Sequence, residues 1–226
     1  MQTSGSRSCF AVSCGASGLW IQTGGVEPAG AASDAIRHEV RLSCYEMLAA
    51  AAAHYGFDMI GIADSPGNAM DPWVAATMVA EGTTKPRVAL CASNLVSRHP
   101  AVSAAAIASL ELLAPGRTVL GLGAGHSGTQ NLGIGSTGLN ELKGGTRFIK
   151  ALIADGQASF DNNQARINWI SGTPEVFIAG SGPRTLRVSG AIADGVFANY
   201  GISAEAMAQS SSVVRAGAEA AGRDPD

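Results

Sequence analysis

The stretch GRTVLGLGAGHSG, residues 116–128, joins an apolar run to a loop rich in glycine. From Gly123 to Gly128 it has the spacing GxGxxG, the fingerprint of dinucleotide-binding loops. That fingerprint also requires a helix directly after the glycines and an acidic residue about twenty positions later. The residues that follow, TQNLGIGSTG, do not predict a helix start, and the nearest acid, Glu141, lies inside the next predicted helix. A nicotinamide-dependent Rossmann dehydrogenase is therefore disfavoured, and the glycines need another explanation.

The apolar run is one of a series of predicted strands. Strands beginning at Phe57, Arg87 and Thr118 are about thirty residues apart, the length of one strand–helix unit. The predicted strands are 18–25, 57–64, 87–93, 118–123, 175–180 and 194–200, and the segment 156–172 has the character of a short hairpin. Helices are predicted at 34–55, 72–83, 139–154 and 204–221, and others start at Pro100 and Pro183. This alternation predicts an α/β fold with a parallel sheet, and both an open doubly wound sheet and a (β/α) barrel are compatible with it.

The composition excludes several classes of function. The 226 residues are 46% hydrophobic and 15% charged, the profile of a soluble α/β domain. A net charge of −3, without clusters of lysine or arginine, disfavours a nucleic-acid partner. No apolar stretch reaches the length of a membrane span, so we expect no membrane partner.

The cysteines and the amino-terminal segment bear on location and domain organisation. Four cysteines at 9, 14, 44 and 91 match no zinc-binding spacing, so we expect reduced thiols, no metal and a cytoplasmic location. Residues 1–17 are polar and are expected to form a disordered leader. Residues 18–226 are expected to form a single domain.

Polar residues and glycines follow the predicted strands where each strand ends. In a barrel or an open sheet these carboxyl ends share one rim, where ligands bind. Asp64, the Cys91–Asn94 segment, His126 and Gly180–Gly182 all occupy such positions. Because the strands themselves are apolar, the pattern predicts a cofactor pocket with a few polar groups.

Each of these residues also has an alternative explanation. Asp64 could cap a turn, His126 could be a solvent-facing loop residue, and Cys91 could be a buried structural thiol. Arg98 and His99 fit either an exposed face or an anion contact.

Several longer segments resemble a known family. The segments GFDMIGIADSP, DPWVAATMVAEGTT, SNLVSRHPAVSAAAIASLELLAPGRTVLGLGAGHSGTQNLGI, FIAGSGPRTLRVSGAIADGVFANYG and RAGAEAAGRDPD occur in the order and spacing of the luciferase-like monooxygenase superfamily. Over residues 45–226 the chain is most similar to the branch of methylenetetrahydromethanopterin reductase. The resemblance implies a (β/α)8 TIM barrel that binds FMN or coenzyme F-420 (a deazaflavin) and transfers hydride to or from a small-molecule substrate.

The resemblance also implies roles for particular residues. Asp64 matches the family's acidic position beside the cofactor, and His126 stands where relatives have Asp or Glu, so these two are the implied catalytic residues. The bond Cys91–Ala92 matches a cis peptide bond behind the ring. The implied cofactor-binding residues are Cys91, Ala92, Ser93, Asn94, Gly123, Gly125, Gly180, Ser181 and Gly182. On this basis the glycines of 116–128 give clearance for a flat ring.

The resemblance has a second consequence for the barrel as a whole. About six strand–helix units are present, so an incomplete barrel of a truncated chain is expected, in the form of a homo-oligomer. The alternative function is a non-catalytic barrel that serves only as an assembly partner or an unstable remnant.

Overall fold

A computed structural model describes residues 49–66, 69–199, 201 and 203–225 of the chain. Its strands are β1 (Met59–Ile62), β2 (Arg87–Asn94), β3 (Thr118–Gly123), β4 (Gln157–Phe160), β5 (Asn163–Arg166), β6 (Glu175–Gly180) and β7 (Gly195–Ala198). Its helices are α1 (Pro72–Gly82), α2 (Pro100–Leu113), α3 (Ser127–Gln130), α4 (Leu139–Asp155), α5 (Pro183–Ile192) and α6 (Ala204–Ala220). Residues 49–54 are also helical.

The order of the strands decides how the sheet is wound. Five strands pair in parallel in the order β1-β2-β3-β6-β7, so each strand lies beside the one before it in the main sheet. A doubly wound sheet reverses its strand order at a switch point, whereas a (β/α) barrel does not. The described strands therefore form an arc of a parallel barrel, and the open-sheet alternative is wrong.

The two faces of this arc are packed differently. Outward-facing residues such as Ile60, Leu90 and Leu120 share one core cluster with residues of the helices. Inward-facing residues form a second, smaller cluster that contains Phe177 and Phe197, whose ring centroids are 5.2 Å apart. The barrel interior is therefore filled by side chains near its middle, as in other barrels of this type.

Proline and cap residues start the helices where the sequence predicts. The Asp71 carboxylate accepts hydrogen bonds from the backbone N–H groups of Trp73 and Val74, and α1 begins at Pro72. Helices α2 and α5 begin at Pro100 and Pro183, because proline lacks the N–H that a first helical turn leaves unpaired. The hairpin predicted within 156–172 is confirmed by the antiparallel pair β4–β5.

One short helix is not predicted, and some predictions lie outside the described residues. A single helical turn, α3, begins at Ser127 within the GxGxxG stretch, where the Thr129 hydroxyl donates to the Gly125 carbonyl and stabilises the turn. It stays four residues long, so it is not the helix of a Rossmann loop. The strand 18–25, the leader 1–17 and most of the helix 34–55 lie outside the described residues. Among the residues that the structure describes, no helix is long and apolar enough to cross a membrane.

Candidate functional site

The central feature of the rim is a buried carboxyl group. Asp64 follows β1 by two residues and is only 9% exposed. The hydroxyl of Ser93, near the end of β2, donates a hydrogen bond of 2.7 Å to Oδ2 of Asp64. The structure therefore joins two predicted site residues from neighbouring strands through one hydrogen bond.

The environment of Asp64 changes its protonation. Burial raises the pKa of the Asp64 carboxyl above its ordinary value of 3.8, and the negative charge of Asp71 raises it further. The hydrogen bond from Ser93 and the positive charge of Arg98 lower that pKa, but burial is the largest effect. Asp64 therefore holds its proton to higher pH than a carboxyl group in water does.

A break in the ladder between β2 and β3 shapes the rim next to Asp64. The register shifts between Leu90 and Ser93, and the Cys91–Ala92 peptide bond is cis, as the resemblance implies. A Cβ added to Gly61 would lie 3.3 Å from the Cβ of Cys91, and one added to Gly123 would lie 3.6 Å from the Cβ of Ala92. In a regular strand two consecutive residues face opposite sides, but here both face the barrel interior.

The thiol of Cys91 is one of these inward-facing groups. Burial raises its pKa to about 12, so it stays protonated at neutral pH. A neutral thiol is a poor nucleophile, and Cys91 acts as a small apolar wall residue.

Small residues near the ends of three strands are neighbours and form a patch that we call the rim floor: Ala92, Gly123 and Ala179. A Cβ added to Gly123 would lie 3.7 Å from the Cβ of Ala179, so the three residues are in contact distance. Ala92 and Ala179 are partly exposed, whereas the residues below them in the barrel are larger and buried. The floor is therefore an apolar surface that solvent reaches.

The other two glycines of the GxGxxG stretch serve a different purpose. Gly125 has a φ of +82°, and a Cβ there would lie 3.0 Å from the Cβ of Asn94. A Cβ on Gly128 would lie 2.5 Å from the backbone oxygen of Asp64. Gly125 and Gly128 give clearance to neighbouring loops of the protein, and of the three glycines only Gly123 belongs to the rim floor.

Asn94 is engaged within its own loop. Its Oδ1 accepts hydrogen bonds from the backbone N–H groups of Val96 (2.9 Å) and Ser97 (2.8 Å), and from the Ser97 hydroxyl (3.0 Å). Its side chain is 1% exposed. Asn94 thus shapes the turn after β2.

Three other candidate residues have distinct surroundings. His126 is exposed on the loop after β3. The Nδ1 atom of His99 accepts a hydrogen bond from the N–H of Ala101, so this histidine caps α2. Arg98 pairs with the carboxylate of Asp71 at 3.1 Å. Arg98 and His99 thus both have partners within the protein.

The segment Gly180–Gly182 leads from β6 into α5. A Cβ on Gly180 would lie 2.4 Å from Thr185 Cγ2, so the close approach of α5 requires a glycine here. Gly182 is the N-cap residue, and no side chain caps this end of the helix. Ser181 and Gly182 are exposed, so the first backbone N–H groups of α5 face the solvent side of the rim.

Sequence reasoning missed Gly128 as a separate determinant of the site. Its spacing in GxGxxG was visible, but the partner that it contacts, Asp64, is 64 positions away along the chain. No local signal reports such a contact. Among the described residues no group of three or more His, Cys, Asp or Glu could hold a metal ion.

Comparison with known proteins gives a consistent result. The family model described as luciferase-like monooxygenase matches residues 28–226. The chain is 29% identical over 190 residues to 5,10-methylenetetrahydromethanopterin reductase of Methanolobus tindarius, covering 76% of this chain and 57% of the relative. It is 31% identical over 175 residues to F420-dependent hydroxymycolic acid dehydrogenase of Mycobacterium tuberculosis, covering 72% of this chain and 48% of the relative.

A solved structure shows the same fold. The oxygenating constituent of 3,6-diketocamphane monooxygenase from Pseudomonas putida, in complex with FMN, superposes with a TM-score of 0.69 at 20% identity. The match covers 88% of this chain and 61% of that one. This chain spans about half the length of the curated relatives that it matches. The extent of the family match, together with the barrel winding, shows that the chain belongs to the luciferase-like monooxygenase family.

Proposed function

We propose that the protein is an oxidoreductase that binds coenzyme F-420 or FMN at the rim and transfers hydride to or from a small organic substrate. The observation that carries this proposal is the pairing of Asp64 with Ser93 beside the rim floor, in a chain of this family. The two cofactors come from the names of the relatives, one F420-dependent and one in complex with FMN.

The rim floor fits a flat ring system. Ala92, Gly123 and Ala179 present no side chain larger than a methyl group, so a planar ligand can approach the strand ends closely. Apolar walls with few polar groups are typical of cofactor pockets. Either cofactor supplies a ring system that accepts or donates hydride, and the protein supplies orientation and electrostatics.

Two residues are proposed for proton handling. Asp64 is hydrogen-bonded to Ser93, the residue after Ala92 of the floor, and its raised pKa lets the carboxyl group donate as well as accept a hydrogen bond over a wider pH range. His126 is exposed on the loop that packs against Asp64, where its imidazole is proposed to exchange a proton with a bound substrate.

The amino-terminal end of α5 is proposed to bind the phosphate that both cofactors carry. Its first N–H groups have no side-chain cap, and the helix dipole favours an anion there. Gly180, Ser181 and Gly182 would let the phosphate approach the backbone.

The proposal is tested by cofactor binding. Purified protein is titrated separately with F-420 and with FMN, and binding is followed by absorbance, fluorescence and the melting temperature. We expect one of the two to bind with micromolar affinity or tighter. Cofactor at 100 times its Kd raises the free energy of unfolding by about 2.7 kcal/mol.

A matched pair of variants connects binding to the site. Asp64→Asn is expected to weaken binding, whereas Asp58→Asn, an exposed acid just before the start of β1, leaves it unchanged. If neither cofactor binds or raises the melting temperature, the proposed function is wrong and the non-catalytic barrel becomes the better hypothesis.

A further inference from the structure

Ser93 is buried, and its hydroxyl group is already hydrogen-bonded to another residue of the protein. The residue is 1% exposed, and its hydroxyl donates to Asp64 Oδ2. A donor that is buried and already paired has little capacity left for a ligand. The resemblance implies that Ser93 contacts the cofactor, but the geometry gives it a different partner.

We propose that Ser93 is a positioning residue whose hydroxyl fixes the orientation of the Asp64 carboxyl group at the rim. The inference rests on the proposed function, since it assigns how the acid of that same site is held. Ser93 acts through Asp64 and does not contact the cofactor.

The surrounding loops explain why a single hydroxyl is enough. Gly128 packs against the backbone oxygen of Asp64, so the main chain of Asp64 cannot move towards the loop after β3. The register shift after Leu90 brings Ser93 to the carboxyl group from the β2 side. With the main chain held by packing, the hydrogen bond to Oδ2 restricts the remaining side-chain rotation.

The hydrogen bond to Ser93 also selects one oxygen of the carboxyl group. The bond reaches Oδ2, so the two oxygens of the carboxyl group are not equivalent. A bond from a hydroxyl to a carboxylate is charge-assisted and stronger than one between neutral groups. Ser93 therefore favours the ionised form of a carboxyl group whose pKa is raised by burial.

Other charged groups around Asp64 must stay constant in a test. Asp71 at the start of α1 and Arg98 after β2 both act on the Asp64 carboxyl group. The loop after β3 brings His126, which is exposed. Substitution of Ser93 by alanine changes none of these groups.

The first measurement needs no cofactor. The Asp64 carboxyl carbon is followed by NMR against pH in protein labelled at aspartate, and its signal is assigned by its loss in Asp64→Asn. We expect Ser93→Ala to shift the titration midpoint of Asp64 upward, because the variant removes a donor that favours the carboxylate. Ser93→Thr keeps a hydroxyl and is expected to restore the midpoint. The control Ser97→Ala removes a hydroxyl that bonds to Asn94 and is expected to leave it unchanged.

The second measurement connects positioning with the proposed site. The Kd of the cofactor is measured in wild-type protein, Ser93→Ala, Asp64→Asn and the double variant. We expect Ser93→Ala to weaken binding about tenfold when Asp64 is present and less than twofold when Asn replaces it. Such coupling is not expected from a merely structural serine.

The outcomes separate this inference from the proposed function. An unchanged Asp64 midpoint in Ser93→Ala, or an equal shift in Ser97→Ala, overturns the positioning role whether or not a cofactor binds. An upward shift specific to Ser93→Ala supports it. Absence of cofactor binding by the wild-type protein overturns the proposed function and leaves the NMR result as the decision on Ser93.

Discussion

The two ends of the barrel treat polar groups differently. At the amino-terminal end, Arg87 pairs with Glu175 across the intervening strand β3 and lies 5.6 Å from the ring centroid of Phe177. The guanidinium of Arg117 donates to the carbonyls of Pro86 (2.8 Å) and Thr83 (2.9 Å). At the carboxyl-terminal end, Asp64 receives one neutral donor and its pKa rises.

The difference between the two ends indicates that the amino-terminal end contributes mainly to stability and that the carboxyl-terminal end holds the proposed site. At the amino-terminal end, buried Glu111 likewise accepts hydrogen bonds from the Gly116 N–H and the Thr118 hydroxyl. Polar groups there are matched by ions, by main-chain groups or by two donors at once, whereas the buried carboxyl group of Asp64 at the rim has one neutral donor and a raised pKa. Barrels of this type place stability at the amino-terminal face and ligand binding at the other. Four variants test the contrast, ordered by their expected effect on the free energy of unfolding.

Arg117→Ala is expected to have the largest effect. It removes hydrogen bonds that join the start of β3 to three carbonyls around the end of α1 and leaves those carbonyls without a charged donor. We expect a loss of about 3 kcal/mol in urea unfolding, with cofactor affinity of the folded protein unchanged. Arg147→Ala on the exposed face of α4 is the control. If Arg117→Ala weakened cofactor binding and left stability unchanged, the amino-terminal end would not have the purely stabilising role that we assign to it.

Gly128→Ala tests the rim, where we expect stability and cofactor affinity to change together. The added Cβ would lie 2.5 Å from the backbone oxygen of Asp64, so the two loops must separate. We expect a loss of about 2 kcal/mol together with weaker cofactor binding, measured by thermal melting and titration. Gly135→Ala lies on the same loop with no atom within 4 Å of its Cβ and is expected to change neither quantity. Equal behaviour of the two variants would show that the close contact at Gly128 is unimportant.

Asp64→Asn is expected to stabilise the fold at neutral pH. Because the pKa of Asp64 is raised in the folded state, the native protein binds more protons than the unfolded chain between pH 3.8 and the higher folded value. The stability that the protonated carboxyl group contributes is therefore lost as pH rises through that window. Above the window the buried carboxylate destabilises the fold, and asparagine removes that destabilisation. The melting temperature of the variant should exceed that of wild type at pH 7, and the difference should disappear below pH 3.8. A variant less stable than wild type at pH 7 would contradict the dominance of burial.

His126→Ala is expected to change stability least. The side chain is exposed, so the free energy of unfolding should stay within about 0.5 kcal/mol of wild type. If His126 exchanges a proton with the substrate as proposed, the hydride-transfer rate should fall by about 100-fold. A rate within twofold of wild type would remove His126 from the proposed mechanism.

Much of the fold could be predicted because its signals are local. The apolar runs TVLGLG and EVFIAG coincide with β3 and β6, and proline starts three of the helices. The winding of the sheet could not be predicted from periodicity, since pairing of β3 with β6 joins residues more than fifty positions apart. The turn α3 was missed because a side-chain bond from Thr129 stabilises it, and helix propensity does not.

The site follows the same division between local and long-range signals. Asp64 and the glycines stand at strand ends, a position that a predicted strand already indicates. The bond from Ser93 to Asp64 spans 29 positions, and the role of Gly128 depends on a backbone oxygen of a distant loop. Such contacts depend on how the strands are arranged in space, so the sequence offered a partner for Ser93 only through the family resemblance, which implied the cofactor.

The contact between Gly128 and Asp64 divides the loop after β3 into two parts that can vary in sequence to different degrees. In the part up to Thr129, Gly125 and Gly128 pack against Asn94 and Asp64, so a larger side chain at either glycine would disturb the acid. From residue 131 to residue 136 it is exposed, and Gly133 and Gly135 have open space around them. Adaptation to new substrates, by evolution or by directed mutagenesis, can therefore draw on this second part while the first part keeps the acid in place.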